Sequence, residues 1–261
     1  IIGLVKAGYK EVVLTGIHIS SYGIDFEEGA KSYHGQSGLI DLVEKIHGLD
    51  GISRIRLGSL EPRIITPQTA ERLAAMPKVC PHFHLSLQSG SDETLKRMNR
   101  HYTSGEYSKG VELLRKVYDN PAITTDVIAG FPGETEEEYC QTYAFLEHLN
   151  LYEMHVFKFS PRKGTRAEAM DQQVPDMVKT SRSNALLALE KRQSKGFRAA
   201  YIGAQVEVLF EEAKEIGGKT YQIGHTPQYV RVAKQTEENI SNHLVTGRIS
   251  GFLQDEILLM D

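Results

Sequence analysis

Cysteine, tryptophan and long apolar runs are scarce in this chain of 261 residues. It contains two cysteines, Cys80 and Cys140, and no tryptophan. Two thiols this far apart in sequence encode neither a disulfide framework nor a zinc motif. No apolar run approaches the roughly 18 residues of a membrane span, and no signal peptide is visible. We therefore predict a soluble protein of the reducing cytoplasm, without its own metal ligands.

An excess of basic charge is also missing. The net charge is −4, so composition gives no global indication of nucleic-acid binding. Residues 202–261 hold five basic and nine acidic residues, and any RNA-binding face in this segment must therefore be local. The first apolar stretch, from Ile1 to Val5, lacks an N-cap and is typical of the second half of a helix, so we expect the chain to be a fragment.

Five short β-branched or apolar runs alternate with helical patterns over the first 160 residues. Such alternation predicts parallel strands with right-handed crossovers, either in a barrel or in an open α/β sheet. Helix starts are marked by Thr66 before Pro67 and by two capping boxes, Thr103 with Glu106 and Thr135 with Glu138. The predicted strands are 11–16, 54–59, 82–87, 124–130 and 153–160.

The pattern changes after residue 160. A loop containing Pro161 and Gly164 precedes one long predicted helix, 177–200. Five short β-type runs separated by Gly, Pro and Asn follow, which predicts a small antiparallel barrel. We place the boundary near residue 200, which gives predicted domains 1–200 and 201–261.

The predicted strands of the first domain end in small polar residues and glycines. The stretches are TGIHISSYG, GSLEPR, LQSGSD and FSPRKGT. Because the carboxyl ends of parallel strands meet at one rim, these residues suit a polar cofactor that needs close backbone approach. Each stretch alone also fits ordinary turns, with Ser91 as an N-cap and Glu134 as a loop carboxylate. Cys140 is interpreted as a buried core thiol.

The order of the motifs carries a resemblance to a known family. The segments VVLTGIHISSYG, RIRLGSLEP, HFHLSLQSGSDETLKRMNRHYT, DVIAGFPGETEEEY and FKFSPRKGTRAEAM occur in that order. They resemble the radical S-adenosylmethionine methylthiotransferases of tRNA, which include the MiaB and MtaB types. LTGIHISSYG is most similar to the MtaB type, whose substrate is threonylcarbamoyl-adenosine next to the anticodon. The resemblance implies an α/β fold: an incomplete radical-SAM (β/α) barrel followed by a TRAM-like β-barrel.

The resemblance also implies cofactors that this chain cannot hold alone. Family members carry two [4Fe–4S] clusters, one of them on a Cys-x3-Cys-x2-Cys loop that is absent here. A reduced cluster cleaves S-adenosylmethionine to a radical that abstracts hydrogen, and a methylthio group is added at C2 of the adenine. Without the cysteine ligands, we expect the chain alone to be inactive.

Residues that would contact S-adenosylmethionine follow from the same motifs. The end of the first strand would contact the methionyl amino group, and Gln88 and Ser89 would contact the ribose. Residues 128–131 and 159–160 would contact the adenine. Arg115 would bind the methionyl carboxylate or, alternatively, is a solvated residue of its helix. The full candidate set is Thr15, Gly16, His18, Ser59, Glu61, Gln88, Ser89, Arg115, Asp126, Gly130, Phe131, Phe159 and Ser160.

The resemblance implies that tRNA is the partner. Its candidate contacts are Arg162, Lys163, Arg166, Lys219, Tyr229, Arg231 and Arg248. Three alternatives stay open: an RNA-binding module without catalysis, a methylthiotransferase for isopentenyl-adenosine or a ribosomal protein, and an unrelated barrel enzyme that uses Glu61, Glu134 or His84 as acid or base. An exposed edge on the incomplete barrel also predicts a possible dimer.

Overall fold

Five parallel strands lie side by side in the computed structural model, which describes residues 1–23 and 38–261. β1 pairs with β2, and β3, β4 and β5 form a second set. Bridges between Ile55 and Val79 and between Leu60 and Leu85 join the two sets in the order β1-β2-β3-β4-β5. The strands are β1 (Glu11–Leu14), β2 (Arg54–Leu57), β3 (His82–His84), β4 (Ala122–Ala129) and β5 (Glu153–Lys158).

The helices begin where the sequence places their caps. Thr66, Thr103 and Thr135 each accept a hydrogen bond from the backbone three residues on, and all three helices start with a capping box. Ser91 is the N-cap residue of the fourth helix, but its side chain makes no capping hydrogen bond. The helices are α1 (Ile2–Lys6), α2 (Gly38–His47), α3 (Pro67–Ala74), α4 (Asp92–Arg97), α5 (Ser104–Val117), α6 (Glu136–Leu149) and α7 (Asp176–Ala199).

The helices cover one face of the parallel array and leave the other face partly open. Tyr107, Val111 and Leu114 of α5 are completely buried in the core. Successive strand residues point to opposite faces; along β4, Val127 is buried whereas Asp126 and Ile128 on the other face are only partly covered. This second face is the lumen of the incomplete barrel. None of the helices in the described ranges is long and apolar enough to cross a membrane.

The last sixty residues form a closed five-stranded barrel. Its order is β10-β8-β7-β6-β9, and every neighbouring pair is antiparallel except β10 with β8, which is parallel. The prediction of a purely antiparallel barrel is therefore wrong in one pair. Five strands cannot alternate in direction around a closed ring, so at least one parallel pair is required. The strands are β6 (Gln205–Ile216), β7 (Lys219–His225), β8 (Arg231–Gln235), β9 (Leu244–Gln254) and β10 (Ile257–Met260).

Two buried arginines of β2 join the parallel array to the small barrel. Arg54 donates to the carbonyl oxygen of His225 at 2.8 Å and to Glu207. Arg56 donates to the carbonyl oxygen of Pro227 at 2.9 Å and to the carboxylate of Glu11 at 2.8 Å. The small barrel is thus held at the amino end of the parallel strands through charge-assisted hydrogen bonds.

Candidate functional site

The loop after β4 is fixed by a buried carboxylate. Gly130 has a φ of +76°, a conformation that glycine adopts at little cost. Its backbone N–H donates to Oε2 of Glu134 at 2.8 Å, and Nη1 of Arg182 donates to the same oxygen at 2.8 Å. Glu134 therefore has a structural role in this loop, and its two hydrogen bonds argue against its use as a catalytic acid or base.

Two aromatic rings form an apolar shelf beside this loop. Phe131 and Phe159 meet edge to face with ring centroids 5.2 Å apart. The backbone N–H of Phe159 donates to the carbonyl oxygen of Ala129, which ties the end of β5 to the end of β4. Ser160 follows on the exposed side. Apolar side chains next to free backbone edges suit the flat face and polar rim of an adenine.

Gln88 marks the end of β3 at the same rim. It is buried, has a φ of +73°, and its backbone N–H donates to the carbonyl oxygen of Asp126. A residue other than glycine in this region is strained, which is a recurrent feature of binding sites. Gln88, Asp126, Ile128, Phe159, Ser160 and Arg162 line one cavity of about 520 Å³.

The ends of β1 and β2 form the opposite side of the rim. His18 Nε2 lies 3.1 Å from Oε2 of Glu61, and Ser59 Oγ lies 2.9 Å from Oγ of Ser86. His18, Ser59 and Glu61 share a separate cavity of about 440 Å³. Thr15 and Gly16 line a third cavity, which also includes His18. The structure thus gathers most of the predicted residues at one end of the sheet, around neighbouring cavities.

Three residues that the sequence singled out lie elsewhere. Ser89 is fully buried, with its hydroxyl 3.1 Å from that of Thr142 on α6, so it serves packing and not a ribose. Arg115 donates to the carbonyl oxygens of Leu149 and Asn150 at the C-terminal end of α6, where cations are favoured, and so is not brought to the rim. Cys140 is exposed, and its interpretation as a core thiol is wrong because its position on α6 faces away from the sheet.

A polar cluster on the lumen face was largely missed by the sequence. His84 of β3 lies 3.3 Å from Asp126 of β4, measured from Nε2 to Oδ2, and its ring centroid is 5.7 Å from that of His155 on β5. Burial favours the neutral form of Asp126, but the hydrogen bond and charge of His84 outweigh burial and lower the pKa of Asp126. Asp126 and His155 are register partners, which only the strand alignment reveals.

The predicted RNA contacts fall into two environments. Tyr229 stacks on His225 at 4.3 Å, with the Arg56 guanidinium 4.6 Å from its ring centroid, so this tyrosine contributes to the interface with the parallel array. Arg231 pairs with Glu212 at 3.4 Å. The remaining candidates are exposed side chains on loops and strands: Arg162, Lys163, Arg166, Lys219 and Arg248.

Comparison with known proteins identifies the family to which the parallel array belongs. Residues 1–146 match the family model described as the radical SAM superfamily. The chain belongs to the radical SAM superfamily. It is 39% identical over 247 residues, 94% of its length and 53% of the relative's, to a threonylcarbamoyladenosine tRNA methylthiotransferase, MtaB, of Bacillus subtilis. It is 33% identical to a tRNA-2-methylthio-N(6)-dimethylallyladenosine synthase of Clostridium botulinum, covering 97% of this chain and 50% of that protein.

A solved structure supports the radical SAM fold. Coproporphyrinogen III oxidase (HemN) from Escherichia coli, described as a radical SAM enzyme, matches with a TM-score of 0.50 and 16% identity over 59% of this chain and 37% of that one. The chain spans about half the length of the curated relatives that it matches. The predicted membership of the radical SAM superfamily and the predicted radical-SAM fold are thereby confirmed.

The superfamily's two cofactors fit this chain differently. The strained Gln88 and the apolar side chains of Ile128 and Phe159 line a cavity that provides polar groups and apolar surface for S-adenosylmethionine. An iron–sulfur cluster requires cysteine thiolates. This sequence offers two cysteines, and the structure places Cys80 in the core and Cys140 at the surface. The residues present therefore fit the first cofactor and not the second.

Proposed function

We propose that this chain is the S-adenosylmethionine-binding and RNA-binding part of a tRNA methylthiotransferase. The observation that carries the proposal is the rim at the carboxyl ends of β3 to β5, where Gln88, Ile128 and Phe159 line an open cavity. The similarity to two tRNA methylthiotransferases supports the reaction class. Bound S-adenosylmethionine supplies the radical chemistry of the superfamily.

The chain's own residues would bind and orient that cofactor. Glu134 and Arg182 fix the backbone of Gly130, so the loop needs no rearrangement to receive a ligand. Phe159, supported from behind by the buried Phe131, would cover one adenine face and exclude water from it. His18 and Glu61 would present polar groups on the other side of the opening.

For the substrate we propose threonylcarbamoyl-adenosine next to the anticodon, with a methylthio group added at C2. The higher identity to the MtaB-type relative supports this choice over dimethylallyl-adenosine, at 39% against 33%. Two [4Fe–4S] clusters would be supplied by cysteine-bearing segments joined to this chain. We propose the cytoplasm, where tRNA is modified, as its location.

A reconstituted protein in which this chain is joined to such segments provides the test. Incubated with a reductant, S-adenosylmethionine and tRNA, it should yield the methylthio derivative of threonylcarbamoyl-adenosine by mass spectrometry. If the protein instead modifies tRNA carrying dimethylallyl-adenosine, or a ribosomal protein, the assignment of threonylcarbamoyl-adenosine as substrate is wrong. Binding of S-adenosylmethionine without any methylthio product would overturn the reaction class.

We propose residues 1–200 and 201–261 as the two domains. The second would contact tRNA through exposed Lys219 and Arg248, and the first through the exposed loop of Arg162, Lys163 and Arg166. Filter binding of tRNA over a salt series tests this, because phosphate contacts release counterions and weaken with salt. A weak response that is flat across salt would contradict RNA recognition by this chain. Salt-dependent RNA binding without S-adenosylmethionine binding would favour the non-catalytic RNA-binding module.

We also propose that the exposed edge of β1 can pair with a second copy. Within the described ranges, β1 pairs with β2 alone, and Val13 of this strand is 54% exposed. Unpaired edges with apolar residues favour association. Sedimentation equilibrium should reveal a dimer that Val13→Lys weakens, and a monomer at all concentrations would contradict it.

A further inference from the structure

The lumen cluster joins three side chains of the ligand types that borderline metal ions prefer. His84, Asp126 and His155 each offer one atom, and these atoms lie within 4.8 Å of one another. Two imidazoles and one carboxylate suit Zn²⁺ and other first-row divalent ions. No other group of this kind occurs in the ranges that the structure describes.

The fold places these side chains in register on adjacent strands. His84 pairs with Thr124, and Asp126 pairs with His155, so β3, β4 and β5 each contribute to the same face. Residues on paired strands are held by the backbone ladder rather than by loops, which gives the cluster a rigid support. A coordination site on such a support needs only side-chain rotation to adjust.

A hydrogen bond behind the cluster orients the ring of His84. His84 Nδ1 lies 2.9 Å from Oγ1 of Thr124, so Nδ1–H can donate to this hydroxyl, and a metal ion bound at Nε2 would take the place of the contact that this nitrogen now makes with Asp126. Such outer partners are typical of metal ligands, since they fix the tautomer and aim the lone pair. Asp126 itself lines the same cavity as Gln88.

The third ligand has the freedom that metal binding requires. Four-coordinate Zn²⁺ with bonds of about 2.0 to 2.2 Å places ligand atoms about 3.3 to 3.6 Å from each other, and the atoms here already lie within 4.8 Å of one another. His155 is exposed, and its ring nitrogens make no hydrogen bond within the described part of the chain. Its ring can therefore rotate inward without losing a polar contact.

We propose that His84, Asp126 and His155 form a divalent transition-metal site in the barrel lumen. Three protein ligands leave at least one coordination position open. Because Asp126 also lines the cavity of Gln88, Ile128 and Phe159, that position faces the space in which a ligand of the rim would lie. The site would thus take a metal ion together with a water or an oxygen- or nitrogen-bearing group of that ligand. This proposal stands independently of the proposed reaction.

Titration of the complete, chelator-stripped chain with Zn²⁺, and with Co²⁺ followed by visible absorption, tests the site. The Cys140→Ser background is used throughout because an exposed thiol binds metal by itself. One equivalent should bind. Asp126→Asn and His155→Ala should weaken binding by at least a hundredfold, and Thr124→Val by about 10- to 100-fold through loss of the outer hydrogen bond.

Exposed His148 supplies the matched control, and His148→Ala should bind as the parent does. Thermal melting provides a second readout: Zn²⁺ should raise the Tm of the parent and of His148→Ala but not of Asp126→Asn. Absence of binding in the parent, or equal binding by the parent, Asp126→Asn and His155→Ala, would overturn the site and leave the cluster as an ion pair of the lumen wall.

Discussion

The two ends of the parallel strands use polar residues in opposite ways. At the amino end, Arg54 and Arg56 are each 4% exposed in their side chains and are paired with carboxylates and carbonyl oxygens of the small barrel and of β1. At the carboxyl end, polar side chains such as His18 and glycines such as Gly16 border open cavities. The first end uses charge to hold two parts of the chain together, while the second keeps polar groups available for a ligand.

The largest effect is expected from removing an arginine at the amino end. Arg56→Met should lower the free energy of unfolding by about 3 to 5 kcal/mol, because it leaves the mostly buried carboxylate of Glu11 with only Arg54, 3.9 Å away, and the carbonyl oxygen of Pro227 without its donor. Urea denaturation monitored by circular dichroism measures the change.

Arg72 provides the control for that substitution. It pairs with Asp41 and Glu44 but is 31% exposed in its side chain, so Arg72→Met should cost about 1 kcal/mol or less. Equal costs for the two variants would show that burial does not distinguish the interface charges from surface pairs.

The next largest effect is a loss of stability in acid. Burial, with the positive charge of Arg56 nearby, lowers the pKa of His82 to about 3. This histidine binds a proton near pH 6.5 in the unfolded chain but stays neutral in the folded chain until the pH is close to 3. The free energy of unfolding therefore falls as the pH drops from about 6.5 towards 3, by up to about 1.4 kcal/mol per pH unit.

Urea denaturation at several pH values tests the role of His82. His82→Gln should reduce the slope of the free energy of unfolding against pH by the amount that corresponds to at most one proton, about 1.4 kcal/mol per pH unit. His148→Gln, at an exposed position, should retain the parent slope. If His82→Gln leaves the slope unchanged, the histidine is not held neutral at the amino end.

A smaller loss is expected at the carboxyl end, from Gly130→Ala. The positive φ of this residue alone should cost about 1 to 2 kcal/mol in an alanine, and a Cβ there would also overlap the aliphatic stem of Lys179. Gly164→Ala shares the positive φ but meets nothing within 4 Å, so it measures strain alone. Gly130→Ala should be the costlier of the two, and equal costs would argue against a tightly fitted loop.

Helix starts and turns could be predicted from the sequence because each depends on residues only a few positions apart. The capping boxes of Thr103 and Thr135 and the glycine at residue 130 each follow from residues within a few positions. The lumen cluster required strand register, which pairs Asp126 with His155 across 29 positions of sequence. Tyr229 was predicted to contact RNA because an aromatic residue among basic ones suits a nucleobase. The structure stacks it on His225 at the interface and leaves it 42% exposed, so its RNA contact stays a prediction.

The central claim is that the carboxyl end of the sheet binds S-adenosylmethionine, and calorimetric titration of this chain with that compound tests it most directly. We expect binding of one equivalent. Phe159→Ala, which removes the shelf, should weaken it by roughly 10- to 100-fold, while Met177→Ala, at an 83% exposed apolar residue of α7, should bind as the parent does. Absence of binding, or equal affinity of the parent and Phe159→Ala, would contradict the account.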